Sequence, residues 1–125
     1  MVRAEIVACP QFPTTLPTLD ELIGLDGVTE ANVAEKLLAR TAGERADQVF
    51  TLHAELEGMK LAPALEALLA GWKSQGFELV SLRDLVASTA LPTLPLHAVL
   101  DAPLPGRSGT LATQGPAFLA GESAQ

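Results

Sequence analysis

Apolar positions recur along the chain with two alternating periods. Val33, Ala34, Leu37 and Leu38 fall on one face at helical spacing, behind Thr29 as a helix-capping residue, with Glu30 in the first turn and Gly43 as a stop. This predicts a helix over residues 30–42. Gln48-Val49-Phe50-Thr51-Leu52-His53 is β-branched and aromatic with few charges, the pattern of a buried strand. Leu61, Leu65, Leu68, Leu69 and Trp72 form a second stripe, with Pro63 tolerated only in a first turn and Gly76 placed to end it, so a helix is expected over 61–75. Phe77-Glu78-Leu79-Val80 reads as the next strand. Ser81 then caps a short helix through 82–88, with Leu82, Leu85 and Val86 facing inward. This alternation predicts an α/β fold of right-handed parallel βα units.

The ends follow other patterns. Residues 2–8 alternate weakly and suggest a first strand. Pro10, Pro13 and Pro17 make 9–18 an extended connection, and Asp20-Glu21-Leu22-Ile23 fits a single helical turn. Beyond residue 88, Pro92, Pro95, Pro103 and Pro105 interrupt every window. The expectation there is an irregular, proline-rich tail over 89–125, with a short edge strand at His97-Ala98-Val99-Leu100, a turn at Gly106 to Gly109 and a frayed end from 115. No repeat and no sharp boundary divides the chain. It reads as one domain with a βα core over about residues 1–88.

Composition narrows the function classes. At 125 residues the length suits one domain, and 48% hydrophobic against 18% charged residues excludes a highly charged disordered chain. A net charge of -7 with 8 scattered Lys and Arg suits nucleic acid phosphates poorly, and 4% aromatics with no Tyr give few base-stacking faces. The lone Cys9 excludes an internal disulfide framework; without an activating base nearby, a buried or inert thiol is expected. No apolar run is long enough to span a bilayer, and the first ten residues do not read as a signal peptide, so the expected location is cytoplasmic.

In parallel βα architectures functional groups gather where strands end. His53 closes the clearest strand, followed by Glu55 and Glu57. An imidazole there can exchange a proton near neutral pH, and a neighbouring carboxylate can fix its tautomer. The plainer alternative is a histidine that hydrogen-bonds backbone. Arg107, between Gly106 and Gly109, can fork onto a phosphate or simply sit on an exposed turn. Asp20-Glu21 reads as a solvated helix start and His97 as surface. With two distant histidines and one cysteine, the chain offers no metal-ligand spacing of its own.

Three blocks, taken in order, carry a resemblance. They are Pro10-Gln11-Phe12-Pro13-Thr14-Thr15-Leu16-Pro17-Thr18-Leu19-Asp20-Glu21, Thr51-Leu52-His53-Ala54-Glu55-Leu56-Glu57-Gly58 and Pro105-Gly106-Arg107-Ser108-Gly109. Over nearly its whole length the chain resembles the C-terminal part of the polysaccharide-deacetylase-like enzymes, in particular their branch of deformylases acting on a lipid-linked formamido-arabinose in lipid A modification. That resemblance implies the C-terminal portion of a distorted β/α barrel with a divalent metal, zinc or similar, at its mouth. It implies His53 as general acid to the leaving amine, with Glu55, Glu57 and Arg107 lining the substrate end. Thr51, two before His53, stands where the general pattern has Leu.

The family's Asp-Asp, His-x-x-x-His and Arg-x-Pro-Tyr motifs do not occur in this chain. The resemblance therefore implies no metal site here, no activity of the chain alone, and a missing N-terminal half as partner. It also implies a peripheral position at the inner face of the bacterial inner membrane. The alternative is a non-catalytic interaction module, or a truncated product, that binds a partner through exposed strand edges.

Overall fold

The computed structural model describes residues 9–117; the strand expected at 2–8 and residues 118–125 lie outside them. Four α-helices come first in chain order: α1 (Leu19–Leu22), α2 (Val33–Thr41), α3 (Ala62–Ser74) and α4 (Leu82–Ser88). A π-helical turn, Leu56–Lys60, leads into α3, and a 3-10 turn, Leu91–Thr93, follows α4. Strands β1 (His97–Pro103) and β2 (Thr110–Ala117) close the described chain.

Helix α2 starts three residues later than Thr29 predicts. Asn32 is its N-cap, and the Asn32 carboxamide accepts the Thr29 N–H at 2.7 Å while donating to the Gly27 carbonyl at 3.2 Å. The side chain thus closes a turn over 29–32 that a helix would otherwise occupy. Gly43 and Gly76, at φ 82° and 92°, follow α2 and α3 in the left-handed conformation that ends helices.

The core lies where α1, α2 and α3 meet. Leu19, Val33, Leu37 and Leu68 are fully enclosed, with Leu16, Leu22, Leu61 and Trp72 around them. Helices α2 and α3 pack closely because Gly71 leaves room for the Leu38 side chain. A polar cluster pins their C-terminal ends: the Trp72 indole donates to Thr41 Oγ1 at 3.1 Å, and Thr41 donates to Gln75 Oε1 at 2.7 Å.

Two parts of the expected architecture are corrected. Among the described residues the sheet is antiparallel, β1 against β2, and no parallel ladder forms. Residues 48–53 and 77–80 are extended but unpaired with each other. One edge of the first segment is held where Thr15 and Leu16 N–H both donate to the Val49 carbonyl, at 3.0 and 3.1 Å. An open apolar groove of about 250 Å³ separates the two segments, lined by Phe50, Leu52, Leu69, Trp72, Phe77, Leu79 and Val80. A parallel sheet needs cover on both faces, and here Leu52, Leu79 and Val80 remain 50%, 45% and 53% exposed. Helix α4 likewise buries no residue fully: Leu82 is exposed, and Leu85 and Val86 are half-buried.

The tail is also more regular than its prolines suggest. Residues 97–117 form a hairpin whose register runs from Val99 opposite Gln114 to Pro103 opposite Thr110, with a shift between His97 and Val99. A two-stranded ribbon consists only of edges, where proline's missing N–H need not break a ladder. Pro103 ends β1, Pro105 lies in the turn, and Pro116 lies beside the register shift.

Candidate functional site

The site is built where α1, the end of segment 48–53 and the hairpin turn meet. Thr18 precedes α1, and its N–H donates to Glu21 Oε2 at 2.9 Å, the reach-back half of a capping box. The other Glu21 oxygen, Oε1, accepts a hydrogen bond from Arg107 Nε in an ion pair. Gly106 makes that approach possible. Its φ is 84°, and a β-carbon there would run into the backbone of Glu21.

His53 ends the extended segment. Its carbonyl accepts the N–H groups of Leu56 and Glu57, both at 2.9 Å, and its own N–H donates to Glu57 Oε2 at 2.7 Å. The imidazole Nε2 lies 3.5 Å from Asp20 Oδ1, with both side chains partly exposed. With Nε2 turned toward Asp20, Nδ1 is the ring nitrogen left to face other groups.

Electrostatics follow these contacts. Asp20 is held below its ordinary value, chiefly by the Thr18 hydroxyl, against the opposing effect of burial, and further by His53 and Arg107. Thr18 Oγ1 is itself buried. Burial works against charge on Glu21, but the hydrogen bonds from Arg107 and the Thr18 backbone outweigh it and hold this carboxyl low as well. Glu21 in turn raises Arg107 above its ordinary value.

The residues singled out by sequence are placed unequally. His53 and Arg107 come to the same carboxylate pair, one on Asp20 and the other on Glu21. Glu55 is exposed on the turn after His53, whereas Glu57 is buried with its carboxylate turned onto the His53 backbone. His97 is exposed, its Nδ1 2.9 Å from the Gly115 carbonyl, and Cys9 is exposed rather than buried. Sequence reasoning named Asp20 only as a solvated helix start. The Thr18-x-x-Glu21 spacing signals the cap, but nothing local signals the approach of His53 to Asp20.

Among the described residues no group of three His, Cys, Asp or Glu side chains could hold a metal ion. Asp20 and Glu21 already face His53 and Arg107. This donor set, already engaged by His53 and Arg107, does not fit a divalent metal. Among the same residues no helix is long and apolar enough to cross a membrane.

This chain is similar in sequence to deformylases, and it spans about a third of the length of the curated relatives it matches. A probable 4-deoxy-4-formamido-L-arabinose-phosphoundecaprenol deformylase from Shewanella sediminis (strain HAW-EB3) is 33% identical over 105 residues, covering 84% of this chain and 34% of the relative. A protein of the same description from Wigglesworthia glossinidia brevipalpis is 31% identical over 104 residues, covering 83% of this chain and 36% of the relative. The match is consistent with a C-terminal fragment of such a deformylase. No protein-family model and no solved structure matches the chain.

Proposed function

We propose that this chain is the proton-donor portion of a deformylase acting on a lipid-linked formamido-arabinose in lipid A modification, and that it is inactive alone. The activity for which these relatives are named supports the substrate class. The observation that carries the chemistry is the pairing of His53 with Asp20. In the proposed reaction, water gives up a proton to a base in the part of the enzyme this chain does not span and adds to the formyl carbonyl, and the carbon–nitrogen bond breaks. His53, protonated and oriented by Asp20, delivers a proton from Nδ1 to the departing amine, releasing formate and the free amino sugar. Glu55 and Arg107 are the groups on this chain proposed for the substrate end. The divalent metal implied by the resemblance would be held by the part of the enzyme this chain does not span. The unpaired edges and the apolar groove between residues 48–52 and 77–80 are the surface proposed to receive that part.

The test is a chimera in which this chain replaces the aligned third of the Shewanella sediminis relative. Formate release from the lipid-linked formamido sugar is expected from the chimera and not from the chain alone. His53→Ala is expected to lower kcat by about 10²- to 10⁴-fold, the usual scale for general acid catalysis, with KM little changed. Wild-type turnover in His53→Ala would falsify the proton-donor role.

A further inference from the structure

Glu57 is an unusual residue to bury. It is 1% exposed, two positions after an exposed glutamate, and only one of its carboxylate oxygens has a partner. Enclosing a carboxylate costs free energy unless it is paired or hydrogen-bonded, and here the one partner found is the His53 backbone. The backbone is also unusual here. Leu61 N–H bonds the Leu56 carbonyl at 2.8 Å, the i to i+5 spacing of a π-helical turn. Such turns are rare and occur frequently at functional sites.

Both features converge on His53. Its backbone is gripped from both sides by the same residue: the Glu57 carboxylate accepts the His53 N–H at 2.7 Å, and the His53 carbonyl accepts the Glu57 N–H at 2.9 Å. A residue entering a helical turn normally uses its own side chain to satisfy the free N–H groups of that turn. His53 does not. Its ring faces Asp20, and its own N–H is taken up by a side chain four residues later. Glu57 lies within that wide turn and is buried.

We propose that Glu57 is a positioning residue, which fixes the backbone of His53 through this two-way grip and so sets the imidazole against Asp20. The proposal deepens the proton-donor reading of His53 and rests on it for its functional meaning. Glu57 touches neither Asp20 nor any reacting group; it acts through the histidine. An apolar residue at 57 would fill the space and leave the His53 N–H without its partner. Glutamine would keep the acceptor and lose the charge.

The experiment is NMR on the full chain, following amide hydrogen exchange at His53 and the acid titration of the Asp20 side-chain carboxyl. In the unmutated chain the His53 amide is expected to exchange at least tenfold more slowly than those of Thr51 and Leu52, which donate no backbone hydrogen bond. Equal rates would overturn the proposal without any variant. Glu57→Gln is expected to keep both signals close to wild type. Glu57→Ala is expected to speed His53 exchange at least tenfold and move the Asp20 midpoint up, while the Trp72 indole, bonded to Thr41 at the far end of α3, keeps its protection. Glu57→Asp, which keeps charge but loses reach, is expected to behave as Glu57→Ala does and carries the comparison should that variant fail to fold. A wild-type His53 amide and Asp20 titration in either short variant would overturn the proposal. These readouts need no turnover, so they stand or fall separately from the proton-donor role, which the His53→Ala chimera decides.

Discussion

His53 Nε2 and Asp20 Oδ1 lie 3.5 Å apart, joining the end of an extended segment to the first turn of α1. Next to this contact, Glu21 pairs with Arg107 from the hairpin turn. Two consecutive carboxylates are thereby divided between a histidine and an arginine brought from distant parts of the chain. Each carboxylate is held below its ordinary value, 3.8 for Asp20 and 4.5 for Glu21.

These depressed values set the sign of a pH dependence. A carboxyl group whose folded pKa lies below its unfolded one stabilises the fold above the unfolded value and loses that contribution as pH falls through the folded value. The contribution of this pair is therefore complete above about pH 5 and declines progressively below about pH 4.5. Urea unfolding at a series of pH values measures it. Asp20→Asn combined with Glu21→Gln is expected to be less stable than wild type at neutral pH and to show a shallower acid decline. Equal acid slopes would place the loss in other groups.

Gly106 tests how the hairpin reaches this pair. Alanine at φ 84° adopts a left-handed conformation at a cost of about 1–2 kcal/mol, and its methyl group meets the Glu21 backbone. The turn is expected to lift from α1, releasing Arg107 and letting the Glu21 carboxyl titrate closer to its ordinary value. Carboxyl NMR titration measures this. An unchanged Glu21 midpoint in Gly106→Ala would show that the ion pair forms without the close seat.

The helices were legible in the sequence because their signals are local. The stripe from Leu61 to Trp72, Pro63 in the first turn and Gly76 beyond the end led to a helix observed at Ala62–Ser74. The strands were legible only in part: the edge strand expected at His97-Ala98-Val99-Leu100 lies within β1, whereas the segments 48–53 and 77–80 form no ladder with each other, because pairing is decided elsewhere. Val49 and Phe50 have strand-like side chains, yet their segment bonds to residues 14–16 on one edge and faces a groove on the other. The hairpin's second strand, Thr110–Ala117, was hidden by the prolines around it, which a two-stranded ribbon tolerates. His53 was legible as a candidate from its place after an apolar run. Asp20 was not, since its approach to His53 depends on how residues 14–16 dock against 48–51, where Thr14 and Thr51 hydroxyls lie 2.8 Å apart. Glu57 was legible as an acidic neighbour, but its inward turn depends on the π-helical geometry, which has no comparable signature in residue type.

The groove gives the last prediction. Leu52 and Val80 are both at least half exposed, beside the backbone edges that residues 48–52 and 77–80 leave without a mutual ladder. Apolar side chains next to open strand edges favour association between copies. At tens of micromolar (an order-of-magnitude concentration at which exposed edges associate), sedimentation velocity is expected to show the isolated chain self-associating. Leu52→Gln with Val80→Thr is expected to reduce that association while changing stability by no more than about 0.5 kcal/mol per site, as for other exposed positions. Leu68→Ala is the contrast: Leu68 is fully enclosed, so its truncation is expected to cost about 2–5 kcal/mol, with no relief of association in the molecules that remain folded. A monomeric wild-type chain, or a groove variant that associates as strongly as wild type, would mean that these exposed side chains do not drive the contact, and would weaken the case for this groove as the seat of the rest of the enzyme.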